Sequence, residues 1–207
     1  MLNKKAAMFG LDARIALAIF GSLSVISGAA LYSAIANAKA TAFLTDIQEM
    51  GKAWEAYLLD TGSDLPKATD ASGKHRITKD LKASTVAGWN GPYLSYTVDG
   101  TYTEYLSHPT YGVITMISVS TLGWGLGHAT ATDWNVSSIR CNDTTIPCNL
   151  AIQVFDPSAD NITIDLAKTI DEQVDGGDGA TVGKVRWYEV GSARSLVYIY
   201  APHKMPV

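Results

Sequence analysis

The sequence IALAIFGSLSVISGAALYSAIANA, residues 15–38, decides how this chain is organised, because it holds no charged side chain over 24 positions. As an α-helix rising about 1.5 Å per residue it would reach roughly 36 Å, enough to cross a hydrocarbon core of about 30 Å. Lys4, Lys5 and Arg14 flank its amino end, opposed only by Asp12. This excess of positive charge predicts a cytoplasmic N-terminus and a chain that crosses the membrane after the apolar stretch.

Small side chains are frequent in this stretch, and Ser24 and Gly28, four residues apart, share one helix face. Surfaces of this kind let a second helix approach closely within a membrane. The small residues are Gly21, Ser22, Ser24, Ser27, Gly28, Ala29 and Ala30. A helix that faces only lipid has no need of them, so the pattern predicts helix–helix packing in this segment.

The helical pattern continues beyond the apolar stretch. Apolar side chains recur with a period of 3.6 residues at Phe43, Leu44, Ile47, Met50, Trp54, Tyr57 and Leu58. Gly62 is a suitable C-terminal stop, whereas Gly51 is a weak point inside the helix. The sequence therefore predicts one helix from residue 11 to about residue 60. It is apolar all round over residues 11–40 and amphipathic in the half within residues 41–62.

Two other interpretations of the amino terminus are open. A secretory signal peptide would account for Lys4 and Lys5 and for Ala36-Asn37-Ala38, which has the A-x-A pattern of a cleavage site. However, the apolar run is longer than a signal requires, and the amphipathic period continues across the proposed cut. A single-pass anchor for an outer domain is the second alternative.

The remaining residues, 63–207, alternate short apolar runs with turn signals, which predicts a globular domain with an antiparallel sheet. The predicted strands lie at residues 93–98, 102–106, 113–119, 184–190 and 195–200, and the short apolar run at residues 149–155 could pair with the third of them. Asp99-Gly100 is a hairpin signal between the first two of them. A helix is predicted over residues 162–174 with Asp160 as its N-cap. The expected fold is α+β, with the sheet packed on the amphipathic half of the long helix.

The composition excludes some partners and activities. The chain has 16 basic and 20 acidic side chains, a net charge of −4, and no cluster of Lys and Arg. Nucleic-acid binding depends on dense positive charge, so we expect no nucleic-acid partner. Neither G-x-S-x-G nor H-E-x-x-H occurs, and the histidines lack metal-ligand spacing. The histidines are His75, His108, His128 and His203. We therefore expect that the protein is not an enzyme.

Carboxylates and cysteines supply two candidate sites. Asp171, Asp175 and Asp178 in DEQVDGGDG could offer oxygen ligands to calcium, although acidic turns with glycine are usually just solvated. We expect no other cofactor. Cys141 and Cys148 lie seven residues apart in the polar stretch RCNDTTIPC and could close a small disulfide ring in an oxidising compartment. Two reduced thiols, or half of a metal site, are the alternatives.

Several stretches together resemble a known family. A short Lys-containing leader ends at Gly10, before a long helix that turns amphipathic. GWNGPYL, residues 88–94, contains a Trp-x-Gly-Pro-Tyr segment, and residues 170–187 place an acidic, glycine-rich turn before a Gly-Lys-Val-Arg strand. With the cysteine pair, these features resemble the type IV pilin and type II secretion pseudopilin superfamily.

The resemblance implies how the chain would be processed and assembled. A prepilin peptidase would remove residues 1–10 by cutting between Gly10 and Leu11, and the helices of identical subunits would form a filament core. It also implies a pilin-like fold, an inner-membrane precursor, pilus or secretion assembly machinery as partner, and a periplasmic or extracellular filament as the final location. Pseudopilins of the major class bind calcium in a carboxy-terminal loop, which is similar to the site expected here.

The chain departs from the family at the start of the helix. The family usually has Glu at the fifth position after the cut, where Ile15 stands here, and Leu11 replaces the usual Phe or Met. Asp12 and Arg14 occupy the second and fourth positions. Because an unpaired carboxylate at membrane depth is costly, Asp12 is the candidate for charge pairing during assembly. Alternatively, the leader stays in place and both charges lie among the lipid headgroups.

The sequence thus predicts a structural subunit that polymerises through its apolar helix, with assembly residues Asp12, Arg14, Ser24 and Gly28. The alternative is a secreted or membrane-tethered binding module, for instance for carbohydrate. Its binding surface would use the aromatic residues Trp89, Tyr93, Trp124 and Trp134. Since large aliphatic side chains are scarce outside the helix, the sequence favours a core role for these aromatics.

Overall fold

The computed structural model describes residues 4–69, 75–120 and 147–203. The chain forms two compact units, Met1–Lys39 and Ala40–Val207. Helix α1, Lys4–Thr61, runs through the first and supplies the first element of the second. The prediction that it starts near residue 11 was wrong, because the preceding residues include good helix formers such as Ala, Lys and Met and no breaker before Gly10.

The second unit contains a six-stranded antiparallel sheet with the order β1-β2-β3-β4-β6-β5. The strands are β1 (Thr97–Val98), β2 (Leu106–His108), β3 (Gly112–Ser120), β4 (Cys148–Asp156), β5 (Val185–Val190) and β6 (Ala193–His203). A short 3₁₀ helix, Thr78–Leu81, precedes them, and α2 (Ile164–Asp175) lies between β4 and β5. The strands predicted at residues 113–119 and 149–155 and the final hairpin are confirmed.

The first predicted hairpin forms with a longer loop than expected, and the predicted strand at residues 93–98 was wrong for its first four residues, since β1 holds only Thr97 and Val98. β1 and β2 pair through Thr97 with Ser107 and through Val98 with Leu106. The carboxylate of Asp99 accepts hydrogen bonds from the backbone N–H groups of residues 101 and 102, at 2.9 and 2.7 Å. This side-chain turn competes with strand pairing, so the predicted strand at residues 102–106 was wrong for its first four residues.

Helix α2 matches the prediction, but its N-cap does not. Thr163 is the N-cap, and its hydroxyl accepts from the backbone N–H of Leu166 at 3.1 Å. Asp160, the predicted cap, lies three residues too early. The turn before the helix is held instead by the Asp156 carboxylate, which accepts from the backbone N–H of Ile162 at 3.0 Å. The helix ends at Gly176, whose φ of 74° gives the left-handed conformation that suits a C-cap.

The core of the second unit lies between α1 and one face of the sheet. Burial on the helix begins at Ala40 and recurs at helical spacing, as the amphipathic pattern predicted. The buried helix residues are Ala40, Phe43, Ile47, Met50, Ala53, Trp54 and Tyr57. They pack on alternating strand residues, among them Ile114, Met116, Leu150, Ile152, Val154 and Leu196. Each large apolar side chain buried here contributes about 1.5–3 kcal/mol. The α+β class is therefore confirmed.

The segment of residues 88–94 closes over the C-terminal end of α1. Gly88 has a φ of 85°, and a Cβ there would come within 2.3 Å of the carbonyl oxygen of Asp60. The Tyr93 hydroxyl donates to the Asp60 carboxylate at 2.8 Å, and the Trp89 indole donates to the Asp80 carbonyl at 2.8 Å. Trp89 and Tyr93 are half-buried and pack against the core, as the sequence favoured. Trp124 and Trp134 lie outside the described residues.

Candidate functional sites: an exposed apolar helix and a carboxylate cluster

The first candidate site is the apolar part of α1 within Met1–Lys39. Its large side chains are between 48 and 73% exposed. They are Leu11, Ile15, Leu17, Ile19, Phe20, Leu23, Val25, Ile26, Leu31, Tyr32 and Ile35. The helix is long and apolar enough to cross a membrane. A continuous apolar surface of this extent is typical of a segment that contacts lipid or protein rather than water.

The polar and small residues of this segment are compatible with apolar surroundings. The hydroxyls of Ser22 and Ser24 donate to the carbonyl oxygens of Ile19 and Phe20, each at 2.8 Å. These bonds pair both of these hydroxyl donors with the helix backbone. Ser24 and the next small residue of its face, Gly28, are both exposed. Their face is therefore available to a partner helix.

The predicted processing and assembly residues lie in helical, exposed backbone. Gly10 and Leu11 continue α1 without a break. Asp12 and Arg14 lie within the next turn and are exposed. Neither side chain makes an ion pair or hydrogen bond with a side chain that the structure describes from residue 10 onward. Their charges therefore have no partner within the described part of one subunit.

The second candidate site lies at the C-terminal end of α2. One carboxylate oxygen from each of Asp171, Asp175 and Asp178 lies within 4.8 Å of the others. Asp171 is buried, with 2% of its surface exposed, whereas Asp178 is exposed. The C-terminal end of a helix carries partial negative charge. Three carboxylates at this end are therefore repelled by the helix end and by one another.

Backbone N–H groups hold two of these carboxylates. Oδ2 of Asp171 accepts from the N–H of Gly179 at 3.0 Å, and Oδ2 of Asp175 accepts from those of Lys184 and Val185 at 2.7 Å each. Within the described part of the chain, Oδ1 of Asp171 has no hydrogen-bond partner. A buried carboxylate oxygen without a donor is costly, and a cation would satisfy it.

The electrostatics of the cluster follow from burial and from crowding of like charges. Burial raises the pKa of Asp171, and the nearby Asp178 and Asp175 raise it further against the opposing Gly179 N–H. Burial lowers the pKa of Arg186 to about 10, although Asp178 and Asp175 pull it upward. Because one guanidinium faces more than one carboxylate, negative charge remains. The donor set of carboxylate oxygens fits a hard cation such as Ca²⁺.

Two residues of this site were missed by the sequence reading. Gly183 has a φ of 72°, and a Cβ there would lie 2.6 Å from Oδ2 of Asp175 and 2.7 Å from Oδ2 of Asp178. Arg186 belongs to β5 and donates to the carbonyl of Gly183 at 2.9 Å. The Gly-Lys-Val-Arg spacing was the signal that could have found them, because it returns the chain to the helix end.

The histidines occupy structural positions in the described part of the chain. Nε2 of His108 lies 3.2 Å from the Asp46 carboxylate and the ring is buried. Nε2 of His203 lies 3.1 Å from Oδ2 of Asp64. Nε2 of His75 lies 3.2 Å from the side-chain oxygen of Gln153. His128 lies outside the described residues.

The disulfide stays a prediction. Cys148 begins β4, is buried, and is not a free thiol. Its predicted partner, Cys141, lies outside the described residues.

An open cleft of about 240 Å³ lies on the sheet face opposite α1. Its lining residues are His75, Tyr102, Tyr105, Val113, Thr115, Gln153, Phe155 and Tyr188. The Gln153 amide donates to the Tyr188 hydroxyl at 2.9 Å and to the Ser195 hydroxyl at 2.8 Å. These bonds use both amide hydrogens within the protein, so the cleft offers mainly aromatic surface to a ligand.

Comparison of the chain with protein-family models, curated proteins and solved structures finds no match.

Proposed function

We propose that this chain is a structural subunit of an extracellular type IV pilus-like filament or pseudopilus and polymerises through its apolar N-terminal helix. The observation that supports this function is the apolar part of α1, whose large side chains are exposed along residues 11–35. A continuous exposed apolar helix has two stable surroundings, a bilayer and a bundle of similar helices.

Assembly requires that the helix leave the bilayer. Lipid tails and packed apolar helices are similarly non-polar, so the hydrophobic effect changes little between them. Contacts between helices must therefore replace contacts with lipid. The small residues Ser24 and Gly28 allow such close contacts, and the hydroxyls of Ser22 and Ser24 are already paired with the helix backbone.

The proposed life cycle follows from this function. The precursor resides in the inner membrane, a prepilin peptidase removes residues 1–10, and pilus or secretion machinery adds the subunit to a homopolymer outside the membrane. We also propose that the second unit holds Ca²⁺ through Asp171, Asp175 and Asp178. The unpaired Oδ1 of Asp171, buried among like charges, supports that assignment.

A secreted or membrane-tethered binding module is the second candidate. The aromatic cleft favours it, because Tyr102 and Tyr105 stack at a centroid distance of 6.0 Å in the cleft wall. Aromatic walls of this kind suit the apolar face of a sugar ring. The compact unit Ala40–Val207 begins two residues after Ala38, so a cut there would also release a folded domain.

The deciding experiment combines electron microscopy of material sheared from the cell surface with N-terminal mass analysis. We expect filaments that contain this chain, with residues 1–10 absent. An intact chain inside the filaments would mean assembly without processing. A soluble, solitary product that begins after Ala38 would contradict the filament proposal and favour the binding module.

A matched pair of substitutions tests the role of the apolar segment. Phe20 and Leu59 are both exposed apolar residues of α1, at 72 and 84%, but Leu59 belongs to the second unit. A lysine at position 20 places an unpaired charge where helices would pack, so we expect Phe20→Lys to abolish filaments. Leu59→Lys serves as the control and is expected to leave them intact.

A further inference from the structure

Asp12 and Arg14 are the only charged residues between Lys5 and Lys39. At about 100° and about 1.5 Å per residue, their side chains leave the helix about 200° apart, with an axial separation of about 3 Å. They therefore define two opposite sides of α1, here termed the acidic face and the basic face. Residues two apart on a helix cannot pair with each other, and neither has a partner among the side chains that the structure describes from residue 10 onward.

The two faces also differ in shape. Seven and fourteen residues after Asp12, the acidic face carries Ile19 and Ile26, which are 54 and 65% exposed. At the same two intervals after Arg14, the basic face carries Gly21 and Gly28. A Cβ added to either glycine would meet nothing within 4 Å, so no contact inside the subunit accounts for them.

We propose that a second copy of this chain packs parallel to the first, with its basic face on the acidic face of its neighbour and a displacement of two residues. This inference rests on the proposed function and specifies how its helices meet. This displacement places Asp12 beside Arg14 of the neighbour. It also places Ile19 over the neighbour's Gly21 and Ile26 over its Gly28. It also places Ala30 beside the large side chain of Tyr32. Charge and shape complementarity therefore require the same register.

This contact uses a different surface on each partner, so in a pair one copy keeps a free basic face and the other keeps a free acidic face. Each added copy is displaced by about 3 Å along the helix axis relative to the last. A contact of this kind cannot close into a ring, because the displacement accumulates around the circle. It instead generates an open helical filament.

The charge pair gives the contact its specificity. In apolar surroundings an unpaired Asp or Arg is costly, and attraction between opposite charges is much stronger than in water. Reversal of one charge makes the copies repel. Because the pair joins two different faces, a chain with only acidic faces should still bind a chain with only basic faces.

The test uses the full-length chain with two different affinity tags, co-expressed in bacterial inner membranes, and measures how much of one tag co-purifies with the other. We expect Asp12→Arg and Arg14→Asp each to lower self-association by about tenfold or more. Co-expression of the two variants should restore association to the level of the unaltered chain, which also excludes misfolding as the cause of the loss.

Two outcomes would overturn the register while leaving the proposed function intact. In the first, the unaltered chain assembles and both reversals assemble equally well. In the second, the mixed variants fail to recover. If Asp12 instead pairs with a free amino terminus created by processing, Arg14→Asp alone would assemble normally, and this too would overturn the proposal. Failure of the unaltered chain to self-associate would overturn the register and the proposed function together.

Discussion

The ring of Tyr200 lies directly over the backbone of Gly51, so that a Cβ on Gly51 would come within 2.1 Å of the ring. Tyr200 is the extra residue of a bulge in β6, and its hydroxyl donates to the Glu55 carboxylate at 2.7 Å. Its ring also contacts Trp54 edge-on at a centroid distance of 6.4 Å. Gly51, which the helix pattern marked as a weak point, is thus a point of close contact between β6 and α1.

Gly51→Ala is therefore expected to destabilise the protein even though alanine is the better helix former by about 1 kcal/mol. Displacement of the anchored tyrosine should cost about 1–3 kcal/mol, measured as a lower thermal unfolding midpoint. The control is a double-mutant cycle with Tyr200→Ala, in which Gly51→Ala should become neutral or stabilising. An equal loss in both backgrounds would contradict the contact.

His108 makes stability depend on pH. Its Nδ1 accepts from the backbone N–H groups of Thr110 and Tyr111 at 3.1 and 3.2 Å, so Nε2 carries the proton and faces Asp46. Burial lowers the pKa of His108 below its usual 6.5, against the opposing pull of Asp46. The unfolded chain therefore binds a proton that the folded chain does not, and stability should fall as the pH drops below about 6.5.

The variant His108→Asn tests this pH dependence. Its side-chain oxygen can still accept from the two N–H groups, but it cannot be protonated. Thermal unfolding between pH 7.5 and 5.5 should show a lower midpoint and a flatter pH dependence than the unaltered chain. An unchanged pH dependence would assign the effect to another group.

A buried ionic cluster joins distant parts of the second unit. Arg76, 1% exposed, donates to the Ser118 hydroxyl at 2.7 Å and lies 3.7 Å from Oδ2 of Asp64. Burial tends to raise the pKa of Asp64, but hydrogen bonds from His203 and Trp54 and the charge of Arg76 outweigh burial, so the pKa of Asp64 is lower than usual.

Arg76→Met should cost about 3–5 kcal/mol of stability, because it leaves a buried carboxylate without its positively charged partner. The double variant with Asp64→Asn should recover part of this loss in chemical denaturation, and no recovery would mean that the pair is not coupled.

Calcium should stabilise the second unit. At saturating Ca²⁺ we expect a higher unfolding midpoint, equivalent to about 2.7 kcal/mol at a concentration one hundred times Kd. Asp178→Asn should weaken this response without disturbing the backbone bonds that Asp175 accepts. Asp165→Asn, an exposed carboxylate at the other end of α2, is the matched control. An unfolding midpoint that millimolar Ca²⁺ leaves unchanged would contradict the site.

The basic face should not tolerate a large side chain at Gly21. Gly21→Leu improves helix propensity, yet we expect weaker self-association by about tenfold, equivalent to about 1.4 kcal/mol. Ser22→Leu, about 100° away on the helix, is the control for added bulk. Equal behaviour of the two variants in the co-purification assay would argue against the glycine contact.

Local patterns in the sequence were sufficient for the main elements. The long helix follows from the absence of charge in residues 15–38 and from the 3.6-residue period that continues after it. The strands Gly112–Ser120 and Cys148–Asp156 follow from their apolar character. The carboxylates of the candidate cation site lie within eight positions of one another, so their proximity could be predicted from the sequence alone. Each of these features depends on interactions between residues that are close in sequence. A short segment of the chain already contains those interactions, so its sequence is enough to predict them.

Tertiary structure decided what the pattern left open. Asp64, Arg76 and His203 meet only because the sheet brings the end of β6 to the loop after α1, across 127 residues between Arg76 and His203. The need for glycine at position 51 exists only because Tyr200, on the same face of β6 as Leu196 and Tyr198, packs on the helix. The backbone donors to Asp175 likewise come from the start of β5. These contacts depend on strand register and on the packing of distant segments, which no local spacing encodes.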